Sequence, residues 1–394
     1  MYLENSLEGN KKIFYDFLNN GGNSSKYAKI LLNYFKANLE SLFNGNGSLP
    51  YEIEIQPSSI CNANCDHCWA KGVEKLENRL MEKSNIDRVA EQILNLKQKG
   101  LPKPRVKFCG TTGNPTVNPN IGYFIDKFYG KTRVKMYDNG ITIGQNKDNS
   151  EYLKDLSKLN FFHLSLDAGT TETLHIKKPG AKKRGVSVEN ILEGCRKMKE
   201  LNDKLDIEVC FVITDNNYSE IPIVAKKAKN YEMDYMRYRI DLTKDEIEKE
   251  RAQEIIELLR EAEKESDDNI KIYPVHTDEQ IKKKFNFGIK GKNLKCVTSS
   301  LWTCIGSNGN IYPCGHCVAK DTESYGNILE QNFEDIWNSE KRKEIQSRLP
   351  GKNCSICSPF SLITNEVVTF LLELRKGERD GLLNEYYSSK EYIH

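Results

Sequence analysis

The sequence predicts an α/β fold on a parallel sheet, with a helical extension before it and a small cysteine-rich segment after it. Three observations carry this. Five strand–helix alternations ending in a sixth strand run between Tyr51 and Ile240, which is the pattern of a sheet with right-handed crossovers. The twelve cysteines are gathered rather than scattered: Cys61, Cys65 and Cys68 lie together, and six more fall between Cys296 and Cys357. The composition is that of a globular chain, with 38% apolar and 29% charged residues.

The 58 basic and 56 acidic residues leave a net charge of +2, so no general footprint for nucleic acid is expected. No run of about 18 apolar residues predicts a membrane span. The polar, acidic start Met1-Tyr-Leu-Glu-Asn-Ser-Leu-Glu lacks a signal peptide's apolar stretch. A cytoplasmic setting is therefore expected, where clustered cysteines bind metal or do redox chemistry instead of forming a disulfide framework. A chain of 394 residues suits one large domain with a smaller companion.

Residues 8–44 carry apolar positions at helical spacing (Phe14, Phe17, Leu18; Ala28, Leu31, Leu32, Phe35, Leu39), broken at Gly21 and Gly22. They predict a helical extension, 1–50, packed on the main domain. Strands are expected at Tyr51–Ile55, Val106–Cys109, Val134–Tyr137, Phe161–Leu166, Ile207–Ile213 and Tyr235–Ile240, with helices over 84–99, 119–130, 149–159, 187–203 and 218–230. This makes 51–243 the main domain, its ligand site at the carboxyl ends of the strands. A connector, 244–295, follows: a charged helix over 244–268, then a Lys-rich linker over 282–295 containing Gly288 and Gly291. The final unit, 296–394, holds the second cysteine group and a helix over 362–376.

Residues 61–68 read Cys-Asn-Ala-Asn-Cys-Asp-His-Cys, a C-x3-C-x2-C loop directly after the first strand. Three thiolates on one short loop can hold three irons of a [4Fe–4S] cube and leave the fourth open to a small ligand. A zinc site with His67 as fourth ligand is the alternative, though His67 sits between two ligands with little freedom to close a tetrahedron.

In this position the loop resembles that of the radical S-adenosylmethionine (radical SAM) enzymes, over about residues 51–240. The resemblance implies a partial (β/α)6 barrel, a cluster on Cys61, Cys65 and Cys68 whose open iron binds SAM, and a 5′-deoxyadenosyl radical that takes a hydrogen atom from the substrate. It places His67, where the family carries an aromatic residue, near adenine. Gly110-Thr-Thr-Gly-Asn114 after the second strand resembles the family's Gly-Gly-Glu-type motif, with Asn114 where an acid is usual; Gly110, Thr111, Gly113 and Asn114 are thereby assigned to the SAM amino group. A plain turn before a helix would also account for them. Ser165 and Asp167, on one face of the fourth strand by alternation, resemble residues that bind SAM ribose and carboxylate; strand-end capping is the other reading. Lys177, Lys178 and Arg184 follow on what reads as a loop, either solvated or pairing with the SAM carboxylate.

Cys296, Gly309 and Cys314, followed by Cys354 and Cys357, form C-x12-G-x4-C and C-x2-C. Four thiolates so placed can enclose a second, fully ligated cluster, and Asn308-Gly309 predicts the hairpin turn that brings them together. The arrangement resembles the twitch extension, a shortened SPASM domain, and implies one auxiliary [4Fe–4S] cluster on Cys296, Cys314, Cys354 and Cys357. Zinc is again the alternative. Cys304 and Cys317 remain, and Cys314-Gly-His-Cys317 leaves the choice among six cysteines open. Cys195 and Cys210 read as core. Cys109, Cys304 and Cys317 are candidates for a thiol that returns a hydrogen atom, as in some radical SAM epimerases, beside an ordinary packing role.

The function expected is oxidation or epimerisation of a small polar, sugar- or cyclitol-like molecule. His175, Arg237 and Arg239 are candidates for the groups facing it, and reduced flavodoxin or ferredoxin is the electron donor that the resemblance implies. The alternative is modification of a peptide or protein by thioether formation, epimerisation or cross-linking. A non-catalytic electron carrier is the third reading, which an open iron argues against.

Overall fold

The structure is a computed structural model. It describes residues 4–389 except 5, 20–22, 46–47, 69, 72–75, 78, 99, 242–248, 277, 283–294, 320–321, 352–353 and 355–356. The expected linker over 282–295, with Gly288 and Gly291, lies almost wholly outside the described residues.

All six expected strands form, within a residue or so at each end: β1 Glu52–Ile55, β2 Arg105–Phe108, β3 Val134–Asp138, β4 Phe161–Ser165, β5 Asp206–Ile213 and β6 Tyr235–Ile240. They pair in chain order and in parallel. The five expected crossover helices are present as Lys83–Asn95, Ile121–Phe128, Ser150–Ser157, Val188–Leu201 and Ile221–Asn230. A seventh strand, β7 Lys271–Pro274, extends the far edge in parallel with β6. Its four residues end in proline, which sequence reasoning sets against a strand but which an edge position tolerates.

The cysteine-rich segment does not hang on the barrel as a separate body. Its strands β8 Trp302–Ile305, β9 Asn310–Tyr312 and β10 Gly326–Asn327 continue the same sheet on the near side of β1, giving the order β10-β9-β8-β1-β2-β3-β4-β5-β6-β7. β8 runs parallel to β1 and antiparallel to β9. Gly309 turns the β8–β9 hairpin at φ +83°, where a side chain would be strained.

The helical extension forms as Leu7–Asn19, Asn23–Tyr34 and Lys36–Phe43. It packs chiefly against the end of the chain. Phe14, Leu18, Leu31, Leu32, Phe35 and Leu39 share one buried cluster with Val367, Phe370, Leu371, Leu382 and Tyr386. Where one helix was expected over 362–376, two are found, Pro359–Glu373 and Lys376–Ser388, separated by extended backbone at Leu374 and Arg375. Gly377 and Gly381 lower the helix propensity of the second, which is why it is not legible in the sequence.

The strands alternate sharply. One side of the sheet carries Ile53, Ile55, Val106, Phe108, Met136, Phe162, Leu164, Val209, Phe211 and Met236, buried together in the main core. The other side carries Glu52, Glu54, Lys107, Lys135, Tyr137, His163, Glu208, Arg237 and Arg239, at consecutive same-face positions of the register. A parallel sheet packed on both faces reads as continuous apolar runs. Charges at every second position mean that the inner face is a polar lumen. At the N-terminal end of the strands, the Phe35 ring packs tilted against Tyr51, just ahead of β1, with centroids 3.7 Å apart, and against Trp302, which opens β8, at 5.2 Å.

Candidate active site

The first cysteine loop is clasped by three other loops at the carboxyl ends of the strands. The Asn114 amide donates to the Ile60 carbonyl at 2.9 Å, and the Gly180 amide to Ala63 at 2.9 Å. Asn62 accepts from Asn139 Nδ2 at 2.7 Å and donates to Thr142 at 3.1 Å. Two glycines permit the closeness: a Cβ on Gly113 would run into the Ser58 carbonyl, and one on Gly180 into the Asn62 carbonyl. Cys61 is exposed, and Cys65 and Cys68 are half-buried. Three thiols on one clasped loop are, by donor chemistry, the set for a cluster that keeps one iron for a further ligand.

Beside the loop lies a buried ionic group. Asp167 Oδ2 faces Lys178 Nζ at 3.2 Å and His67 Nε2 at 3.5 Å, while Oδ1 accepts from the Val212 amide at 2.9 Å. Burial alone would protonate this acid, but Lys178 and His67 hold it far below the usual carboxylate range. The same contacts, joined by Asp66 at 2.7 Å, raise His67 against the effect of burial. Strand alternation does not place Asp167. β4 ends at Ser165, and Asp167 adopts a left-handed turn conformation at φ +60° that swings it under His67. Nor do Lys177 and Lys178 lie on a solvated loop: both are buried, Lys177 pairing with Asp66 and Lys178 donating to the Ser165 carbonyl. Arg184 donates to the Asn62 carbonyl at 3.3 Å.

In the turn after β2, Gly110 and Gly113 pack backbone on backbone. Thr111 Oγ1 points to Glu54 at 3.5 Å. Asn114 is turned inward, donating to Asp138 at 2.7 Å and Thr116 at 2.9 Å and accepting from the Asn139 amide at 3.0 Å. Its side chain therefore ties the turn to the end of β3. Asn139, which the sequence did not single out, approaches Cys61 Sγ at 3.9 Å.

In the second cysteine group, Cys314 Sγ and Cys317 Sγ are 3.7 Å apart. Cys354 hydrogen-bonds Cys317, and Cys296 lies within electrostatic reach of both Cys314 and Cys354. Cys317, expected as a hydrogen-atom donor, thus belongs by position to the second thiol group, because the tight turn Gly315–Cys317 folds it back on Cys314. Cys357 is half-buried beyond residues 355–356, which lie outside the described set. Four thiols near one hairpin, Cys296, Cys314, Cys317 and Cys354, have the donor chemistry of a fully ligated cluster.

Beside the second group, and next to Thr111 of the turn after β2, stands Glu54. Lys107 pairs with it and keeps it ionised despite complete burial. The Cys304 thiol points to it at 3.6 Å, and the Gly315 backbone packs against it. Burial pushes Cys109 up to about 12 and Cys304 well above the ordinary thiol value, so both are protonated at neutral pH.

Deeper in the lumen, Tyr137 stacks on His163 with centroids 4.2 Å apart. His163 Nδ1 meets Glu208 at 2.6 Å, and Arg237 and Tyr273 bind the same carboxylate at 3.1 and 2.5 Å. Tyr27 and Lys26, from the helix Asn23–Tyr34, reach this network, Lys26 lying 4.6 Å over the Tyr273 ring. His175 does not join it, since its Nε2 contacts the Val186 carbonyl at 2.9 Å on the outer helices. Arg237 and Arg239 do face the lumen.

Burial, aided by Arg237, pushes His163 down to about 4. Between pH 6.5 and 4 the unfolded chain binds the extra proton, so the stability from a neutral His163 is complete above pH 6.5 and is lost as pH falls. Urea melts should show roughly 2 kcal/mol lost between pH 7 and 5, and a smaller loss in His163→Gln. Equal losses would place the buried proton elsewhere. Glu208, held at about 2 by Arg237 and His163 against the effect of burial, contributes only below that window.

Comparison with known proteins finds matches over both cysteine segments. The model of the radical SAM superfamily matches residues 55–228, and that of SPASM, an iron–sulfur cluster-binding domain, matches 296–358. The tungsten-containing aldehyde ferredoxin oxidoreductase cofactor-modifying protein of Pyrococcus furiosus is 24% identical over 314 residues, covering 73% of this chain and 81% of the relative. Among solved structures, Streptococcus suis SuiB bound to S-adenosylmethionine aligns with TM-score 0.58 and 16% identity over 83% of this chain and 75% of its own. Native anSMEcpe with bound AdoMet aligns with TM-score 0.52 and 16% identity over 86% and 100%. No helix among the described residues is long and apolar enough to cross a membrane.

Proposed function

We propose that this chain, which matches the radical SAM superfamily over residues 55–228 and a SPASM iron–sulfur cluster-binding domain over 296–358, abstracts a hydrogen atom from a small polar, sugar- or cyclitol-like molecule held in the lumen, with oxidation or epimerisation as the outcome. The observation that carries this is the polar inner face, whose charged and hydroxyl-bearing side chains suit a hydrophilic substrate and no apolar one. Cys61, Cys65 and Cys68 would hold an iron–sulfur cluster, which with SAM bound and an electron from a reductant such as flavodoxin or ferredoxin would supply the radical chemistry.

The chain's own residues do the rest. Asp167, Lys178 and His67 form a fixed polar wall beside the cysteine loop, for SAM. Glu54, ionised between Thr111 and Cys304, is placed to take a hydroxyl proton from an oxidised substrate. The protonated thiol of Cys109, half-buried at the end of β2, is the candidate to return a hydrogen atom in an epimerisation, whereas Cys304 is fully buried. The second thiol group, next to Glu54, suits an electron acceptor. The name of the Pyrococcus furiosus relative, a cofactor-modifying protein, supports a non-peptide substrate.

Anaerobic incubation with SAM, dithionite and perdeuterated polyols, aminocyclitols, sugar acids and sugar phosphates should move deuterium into 5′-deoxyadenosine, read by mass spectrometry. Transfer from a labelled peptide alone would turn the reading to peptide modification.

A further inference from the structure

At the carboxyl end of β6 the lumen holds a guanidinium, that of Arg239, with no counter-charge among the described residues. On β1 to β6 the inner face presents Arg105, Lys107, Lys135, Arg237 and Arg239 against Glu52, Glu54, Asp206 and Glu208, with Arg105 lying over the Tyr51 ring at the opposite, N-terminal end of the strands. Lys107 pairs with Glu54 and Glu52, Lys135 with Glu52, and Arg237 with Glu208. Arg239 has no ion-pair or hydrogen-bond partner among the described residues, although it sits two positions along the same face of β6 from Arg237. Asp241, past the end of β6, has a partner of its own. Cys210 and His276, within electrostatic reach of Arg239, are both held neutral, chiefly by burial. Arg237 Nε is also buried without a partner among the described residues.

A half-buried guanidinium without a counter-charge is costly until an anion reaches it, and its planar fork matches oxyanions at two points. We propose that Arg239, with Arg237 beside it, anchors a carboxylate or phosphate of the substrate, so that the substrate is an anionic small molecule, a sugar acid or sugar phosphate rather than a neutral polyol. The inference rests on the reading that the lumen holds the substrate.

The test needs no turnover. The reconstituted enzyme is saturated with SAM and melted anaerobically in rising inorganic phosphate or acetate, with chloride keeping ionic strength constant. At least one of the two should raise the melting temperature saturably in the wild type. Arg239→Gln should raise the half-saturating concentration about tenfold, a loss of the size expected for one charged anchor. Arg260→Gln, which removes an exposed partner of Asp278, should leave it in place. A response to phosphate alone assigns a phosphate ester, and to acetate alone a carboxylic acid. No response to either, or an equal response in Arg239→Gln, overturns the anchor. If Arg239→Gln does not fold, Arg239→Lys replaces it: weakened binding supports the fork, and unchanged binding overturns it. Because the readout is binding, a failed deuterium transfer with an intact anion response would sink the radical chemistry on polyols and leave the anchor standing.

Discussion

The variant Cys61→Ala/Cys65→Ala/Cys68→Ala should lose about four of about eight irons and all formation of 5′-deoxyadenosine. The two thiol groups lie on separate parts of the sheet: one on the loop after β1, the other around the β8–β9 hairpin and the segment ahead of Pro359. No cysteine serves both, so emptying the first should leave the second loaded. Iron and sulfide analysis of anaerobically reconstituted protein reads the result directly. A fall to no iron would mean that the second group cannot assemble without the first, and about four irons falling to none with zinc in the second would remove the auxiliary electron acceptor. The redox reading of the lumen would then give way to a reaction that returns its electron.

Gly180→Ala should be nearly as damaging, without touching a ligand. The added methyl group would collide with the Asn62 carbonyl and come within 3.0 Å of the Ala63 carbonyl. Both are backbone atoms of the cysteine loop, so no rotamer relieves the clash. Either the short helix Pro179–Lys183 backs away, losing the bond from the Gly180 amide to Ala63, or the loop shifts. A cost of about 3 kcal/mol is expected, seen as a lower melting temperature and as incomplete iron loading of the first site. Gly377→Ala is the matched control. Nothing lies within 4 Å of its added Cβ, so it should be neutral or slightly stabilising. Equal effects from both would show that the clasp at Gly180 yields freely.

Much of this was legible in advance. Spacing and apolar runs located β1 to β6 and their five helices, because those segments follow the 2.0 and 3.6 periods that burial on one side imposes. The three-cysteine loop and the β8–β9 turn were readable for the same kind of reason: their chemistry is local. What the sequence did not disclose depends on distance across the fold. Asp167 reaches His67 through a turn that no strand pattern encodes. Asn114 spends itself on Asp138 and the Asn139 amide, about 25 residues away. Cys317 joins Cys354 only once the segment after Arg348 folds back. The lumen itself had left a signal that went unused: Glu-Ile-Glu-Ile, Arg-Val-Lys-Phe and Tyr-Met-Arg-Tyr-Arg-Ile alternate charge with apolar bulk, where a parallel strand buried on both faces would not.

The pairing of β1 with β8 has a consequence for how the chain matures. Ile55 meets Ile305 across 250 residues of sequence, whereas β2 to β6 each find a partner from the preceding crossover unit. Closing so long a loop is slow. While the polypeptide emerges from the ribosome, β1 to β6 can assemble with one flank of β1 still bare, an invitation to pairing with another chain. Glu52 and Glu54, two carboxylates in a strand of four residues, discourage that in the interim. The last quarter of the protein therefore acts as a late-arriving seal: when β8 docks, it covers the bare edge and sets Cys304 against Glu54 in the same event.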